Sequence, residues 1–128
     1  MKKIYLNIVS IVLCMTMITG CDNEENIPTS DLQILASEIN MDATGGKGYV
    51  EISSSKTISA RLTDTDWCSI EEITDNKITL NTQPNYGYSG RSSQLIITDG
   101  IKEEKLTVMQ SGAVFVFEDN KWIQRVTN

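Results

Sequence analysis

The chain has no histidine, and its 128 residues include only three cysteines, two prolines and two phenylalanines. Without histidine, neither a Ser-His-Asp nor a Cys-His nucleophile can be assembled, and the usual histidine-based zinc sites are excluded as well. Positive charge is scarce and unclustered: eleven Lys and Arg face seventeen Asp and Glu, a net charge of −6. A surface of that sign is a poor match for nucleic acid or an anionic membrane surface, so neutral or cationic partners are expected. Beyond the N-terminal segment no stretch sustains an apolar period of 3.6, which argues against helices.

Among the residues present, the carboxylate pairs Asp64/Asp66 and Glu71/Glu72 are the nearest approach to hydrolytic chemistry. On strands or turns such neighbours read as solvated charge, and a small β-domain without inserted loops rarely builds the cleft that glycoside hydrolysis requires. Asp64, Asp66 and Asp75 do not follow the spacing of a twelve-residue calcium loop. The expectation is a protein that is not an enzyme and carries neither metal nor cofactor.

At the N-terminus, Lys2 and Lys3 precede an apolar run from Ile4 to Met17 that is interrupted by Asn7, Ser10 and Thr16. This run is short of the roughly 20 apolar residues that a membrane span needs, and reads as a cleavable export signal over residues 1–20. It ends on Ile18-Thr19-Gly20-Cys21, which resembles a bacterial lipobox, with Ile18 and Thr19 departing from the commoner Leu and Ser or Ala. The resemblance implies lipidation of Cys21 and cleavage before it. Each buried methylene contributes about 0.8 kcal/mol, so two or more acyl chains anchor the protein stably to its membrane. An ordinary secretory signal cut near Gly20 is the alternative.

Residues 21–31 then form the lipidated cysteine and its tether. Asp22-Asn23-Glu24-Glu25-Asn26 is acidic and apolar-poor, and Ile27-Pro28-Thr29-Ser30-Asp31 follows. Ten such residues span about 15 to 20 Å as a flexible chain and about 35 Å at full stretch. Acidic residues directly after a lipidated cysteine also resemble the surface-export signal of Bacteroidetes lipoproteins, which implies an outer-membrane protein facing the cell surface; plain linker charge is the other reading. Loss of Lys2 and Lys3 takes the net charge to about −8, and about 108 residues remain for one domain. Cys14 leaves with the signal and Cys21 carries lipid, so Cys68 is left with no disulfide partner.

Short β-type runs recur along the mature chain, at about Gln33 to Ile39, Gly48 to Ser53, Thr57 to Leu62, Trp67 to Ile70, Lys77 to Thr82, Gln94 to Thr98 and Glu104 to Gln110. Gly45-Gly46-Lys47-Gly48, Asp75-Asn76 and Asp99-Gly100 supply turn chemistry, and Asn85 to Gly90 is the longest loop. About seven short strands so punctuated predict an all-β, immunoglobulin-like antiparallel sandwich.

Several elements fall in one register: Asp66-Trp67-Cys68-Ser69-Ile70, Ile78-Thr79-Leu80-Asn81, Asn85, Arg91, Ile96-Ile97-Thr98 and Leu106-Thr107-Val108-Met109-Gln110-Ser111-Gly112. Together they resemble the BACON domain of Bacteroidetes, with its tryptophan strand, Asn-rich loop leading to Arg, and Thr-Val-x-Gln-x-Gly ending. The resemblance covers residues 32–112. It implies an immunoglobulin-like sandwich on a secreted or surface protein and a role in binding carbohydrate or mucin, an association that rests on genomic context. It also implies that Trp67 is a core residue and that Arg91 braces the loop before it.

The loop Asn85-Tyr86-Gly87-Tyr88-Ser89-Gly90-Arg91 has what a sugar site needs: flat rings for C–H stacking and amide or guanidinium groups for hydroxyls. Tyr86 and Tyr88 lie two apart, which on an extended segment puts both rings on one side; Asn85 and Arg91 are the candidate hydrogen-bonding partners. Against this stands the simpler reading that one tyrosine packs over the end of the sandwich. Trp67 opens a strand of alternating character, so Cys68 is expected on the opposite face, an inert thiol with no basic neighbour in sequence.

Residues 113–128 lie beyond the resemblance and read as a β-hairpin, with arms Ala113 to Phe117 and Trp122 to Val126. A lone hairpin is marginal and leaves an apolar edge, so it should dock on the sandwich, on a partner or on further sequence. Phe115, Phe117 and Trp122 are therefore packing or partner-binding candidates. Two function classes follow. One is a non-catalytic, membrane-anchored surface lipoprotein that binds glycan weakly; the other is a surface spacer or interaction module that docks a protein partner through the hairpin.

Overall fold

The computed structural model describes residues 26–125. The export signal, the lipobox with Cys21, the start of the tether and Val126 lie outside the described residues. Among those described the chain is all-β and forms ten strands. These are β1 (Gln33–Glu38), β2 (Asn40–Met41), β3 (Gly46–Ser53), β4 (Ser59–Leu62), β5 (Cys68–Ile73), β6 (Lys77–Thr82), β7 (Arg91–Thr98), β8 (Glu103–Gln110), β9 (Val114–Glu118) and β10 (Lys121–Arg125).

Two four-stranded sheets make the sandwich, in the orders β1-β3-β6-β5 and β2-β8-β7-β4, while β9 and β10 pair as a separate hairpin. Period-2 alternation selects the inner faces. Gly48, Val50 and Ile52 on β3, Ile78 and Leu80 on β6, Leu95 and Ile97 on β7, and Val108 on β8 are all buried. Leu32, Ile39, Ile58, Trp67 and Cys68 complete one cluster between the sheets.

Two local departures from the expected strands have clear causes. The first expected strand breaks at Ile39, which turns into the core; β1 stays on the first sheet and β2 crosses to the second. There β2 pairs parallel with β8, Asn40 opposite Met109, so this edge is not antiparallel. The crossing resembles a strand shared between sheets at a sandwich corner. Trp67, for its part, does not lie in a strand. It sits in the turn before β5, where the Asp64 carboxylate accepts both the Asp66 amide and, at 3.3 Å, the Trp67 indole N–H. Strand alternation therefore does not apply, and Cys68 is in the core beside Trp67 rather than on the opposite face.

Strand register gives the sandwich two distinct ends. At one, β1 begins with Gln33 opposite Ser53, and β7 ends with Thr98 opposite Glu103. The tether joins here: the Ser30 hydroxyl donates to Asp99 at 2.5 Å, Asp31 accepts the Ser55 amide at 3.0 Å, and Leu32 is buried. Ser30 and Asp31, expected in the tether, are thus held against the sandwich. At the other end Gly46 lies opposite Thr82 and Arg91 opposite Gln110, with the β6–β7 loop above them. Eight residues of β7 separate the ends, about 25 Å at the ordinary rise of a strand.

Candidate functional site

At that second end the residues of the β6–β7 loop divide into those that build it and those it displays. Asn85 is buried, and its side chain is bonded within the fold. Its amide nitrogen donates to the carbonyls of Ser89 (2.9 Å) and Ser111 (3.0 Å), and its Oδ1 accepts the Gly87 amide at 3.1 Å. Both amide hydrogens are spent inside the fold and the buried oxygen already accepts one bond, so the expectation that Asn85 hydrogen-bonds a ligand gives way to a loop-organising role.

Arg91 is similarly engaged. Its Nε donates to Gln110 Oε1 at 2.8 Å, its Nη2 donates to the carbonyls of Gln83 and Pro84 at 3.0 and 3.1 Å, and its guanidinium lies 4.8 Å from the Trp67 ring centre. The planar fork ties the loop to β8 and stacks on the core tryptophan, which is bracing rather than ligand contact. Gln110, only 2% exposed, completes the network by donating from Nε2 to the carbonyls of Asp42 and Gln83 at 3.0 and 2.9 Å. Gln110 is the Gln of the Thr-Val-x-Gln-x-Gly ending, but the sequence assigns it no role in the site. The available signal was a polar residue at an inward position of β8, two after Val108.

Nearby Cys68 has its thiol pKa pushed up by burial and by the Asp64 carboxylate, with Arg91 opposing weakly, so it is protonated and unreactive at neutral pH. Among the described residues no group of three or more acidic or cysteine side chains converges as a metal site.

What the loop displays is aromatic. Tyr86 and Tyr88 are 70% and 82% exposed. The segment bends over Gly87–Ser89 instead of running extended, so the simple two-apart rule for a shared side does not hold. Gly112 makes the bend's position possible, because a Cβ there would run into the Tyr88 backbone carbonyl. The Ala113 amide then donates to the Gly87 carbonyl at 2.7 Å, fixing the start of the hairpin to the loop.

Through this junction the hairpin reaches the loop. Tyr88 and Phe115 meet edge to face, with centroids 5.9 Å apart and planes at 76°. Across the hairpin Phe117 lies opposite Trp122, 5.1 Å between centroids. Tyr88, Phe115 and Trp122 line a shallow hollow of about 270 Å³; Tyr86 is not part of its lining. No strand of either sheet packs extensively against β9 or β10. Of the three destinations expected for the hairpin, the sandwich thus supplies only this loop contact, and Phe117 (54%) and Trp122 (72%) remain exposed.

The fold is an immunoglobulin-like sandwich with an exposed aromatic loop at one end and the N-terminal segment docked at the other. The chain belongs to the BACON family: the family profile, described as "Putative binding domain, N-terminal", matches residues 40–111. Among solved structures, a Bacteroides ovatus GH5 xyloglucanase in complex with a XXXG heptasaccharide is similar over 69% of this chain and 20% of its own, with 17% identity and a TM-score of 0.56. A protein from Bacteroides thetaiotaomicron, solved by NMR, is similar over 73% of this chain and 98% of its own, with 16% identity and a TM-score of 0.52. These likenesses are of fold. This chain thus corresponds to about a fifth of the xyloglucanase's length. No curated protein matches the sequence.

Proposed function

We propose that this protein is a non-catalytic lipoprotein, anchored in the outer membrane through Cys21 and facing the cell surface, whose BACON domain captures carbohydrate weakly. The observation that carries this reading is the exposed tyrosine pair Tyr86 and Tyr88, displayed at the end of the sandwich opposite the tether. A module built this way presents its rings away from the membrane, toward dietary or mucin glycans. Each stacked ring contributes about 0.5 to 1.5 kcal/mol, so single-site affinity falls in the millimolar to tens of micromolar range, roughly. A crowded anchored population adds avidity.

The test has two parts. Changing Tyr86 and Tyr88 together to Ala should abolish retention on a glycan array while leaving the melting temperature within a few degrees; unaltered retention sinks the site. Cys21→Ala should move the protein from the membrane fraction to the soluble one and remove incorporation of labelled palmitate. Continued membrane association without the cysteine would contradict the anchor.

A second reading, docking of a protein partner through the hairpin, is favoured by the exposure of Phe117, Trp122 and Ile123. Ile123→Asp, a change at an exposed hairpin residue outside the hollow, separates the two, since partner docking requires loss of capture with sugar binding through the tyrosines retained.

A further inference from the structure

Cross-strand register sorts the hairpin into two unlike faces. Phe115, Phe117, Trp122 and Gln124 share one face, because Trp122 lies opposite Phe117 and Gln124 opposite Phe115. Val114, Val116, Glu118, Lys121, Ile123 and Arg125 share the other, where Glu118 and Arg125 form an ion pair. The aromatic face is the one turned to the β6–β7 loop, since Phe115 meets Tyr88 there.

We infer that this face is the second wall of the carbohydrate site: Trp122 and Tyr88 flank, and Phe115 floors, a cleft that takes one pyranose ring of a neutral glycan chain. The inference rests on the glycan-binding reading and names the ligand class and the residues that complete the site. Four features support it. The hollow, at about 270 Å³, is just below the usual volume of ligand clefts, with room for a single ring. Its lining has no ionisable group other than the Tyr88 phenol, and the domain around it is acidic, which disfavours uronate or sulfated sugars.

Polar groups also stand beside the rings, as sugar hydroxyls require. The Tyr88 hydroxyl and the Trp122 indole N–H belong to lining residues. Gln124, on the same face and two residues from Trp122, has an amide nitrogen shielded from solvent and without an acceptor among the described residues. Gln124 is not one of the residues that line the hollow; a buried donor left unpaired is costly, and a water bridging it to a ligand hydroxyl would satisfy it. The site is therefore built from two segments, one inside the family-matched region and one C-terminal to it.

Tryptophan emission gives a direct test, because the chain has only two indoles: Trp67 is buried and Trp122 is 72% exposed. The full chain in detergent micelles is titrated with cellohexaose, mannohexaose, xyloglucan heptasaccharide and mucin O-glycans, and with oligogalacturonate as the acidic control. A neutral oligosaccharide should blue-shift the emission and shield it from iodide quenching. Trp122→Ala should weaken that binding about three- to tenfold, Trp122→Tyr should restore most of it, and the acidic control should have no effect.

Binding that is lost in the Tyr86/Tyr88 double variant but unchanged in Trp122→Ala, with no emission response in the wild type, overturns this inference and leaves the tyrosine site standing. Binding by none of the probes, or binding unaffected by either set of changes, overturns both. Should Trp122→Ala melt the hairpin, the wild-type emission response and the affinity of Trp122→Tyr decide the matter.

Discussion

At the scale of single residues, Gln110 carries more of the site's order than any exposed side chain. One buried amide binds two loop carbonyls and the Arg91 guanidinium together, so its loss leaves the Arg91 Nε–H unpaired and takes one of two donors from each carbonyl. Gln110→Leu is near its size yet leaves the Asp42 and Gln83 carbonyls without this donor. The expected cost is about 2 to 4 kcal/mol in a denaturant titration, well above that of a typical surface change. A loss under about 0.5 kcal/mol would show that the network is not holding the loop. The family ending marks Gln110 but not its partners, and the inward hydrogen bonding of Asn85 is not visible in the sequence at all. In sequence Asn85 is an amide near two tyrosines, but whether such an amide faces outward or inward depends on Ser111, 26 residues on, whose carbonyl it meets only in the fold.

At the scale of elements, the strands are legible because β3, β6 and β8 alternate more and less buried residues, and β7 does so up to Leu95, where Ile96 is buried as well, a pattern that sterics and solvent impose together. The family resemblance added the core role of Trp67 and the brace of Arg91. What stayed hidden was tertiary: Ile39 leaving one sheet for the other, and the bend that separates Tyr86 from the hollow lined by Tyr88. The hairpin was foreseen, and its turn chemistry is visible in Asp119 and Asn120, both at positive φ (48° and 62°), as a tight two-residue connection requires. Asn120→Val opposes that backbone by about 1 to 2 kcal/mol. Since neither sheet packs extensively on β9 or β10, this should melt the hairpin alone. Hydrogen exchange should speed up over Val114–Arg125 while β3, β6 and β7 keep their protection; a global loss would mean that the hairpin is integral to the sandwich.

At the scale of the molecule, the end of the sandwich where Ser30 and Asp31 dock carries an acid-sensitive clasp. The Asp99 carboxyl is held at about 2, below the ordinary 3.8, chiefly by the Lys102 amide and the Ser30 hydroxyl. Asp31 is lowered in the same direction by the Ser55 amide. A group whose pKa is depressed by folding stabilises the fold above its unfolded value and loses that contribution as pH falls through the folded one. The contribution of Asp99 is thus complete above about pH 4 and disappears toward pH 2. Urea midpoints should be flat for this group from pH 7 to about 4 and drop below it, and Asp99→Asn should flatten the acid limb. An unchanged acid limb in that variant would remove the clasp from the account.

The central claim is that the end of the sandwich opposite the anchor is a carbohydrate surface. The most direct measurement is a two-dimensional amide and indole NMR titration of the protein with a neutral oligosaccharide such as xyloglucan heptasaccharide or cellohexaose. The account requires dose-dependent shifts concentrated at Tyr86 to Ser89, Phe115 and the Trp122 indole, with Ser30, Asp99 and Lys102 at the tether end unmoved. Shifts confined to the tether end, or none with either sugar at millimolar concentration, would contradict it.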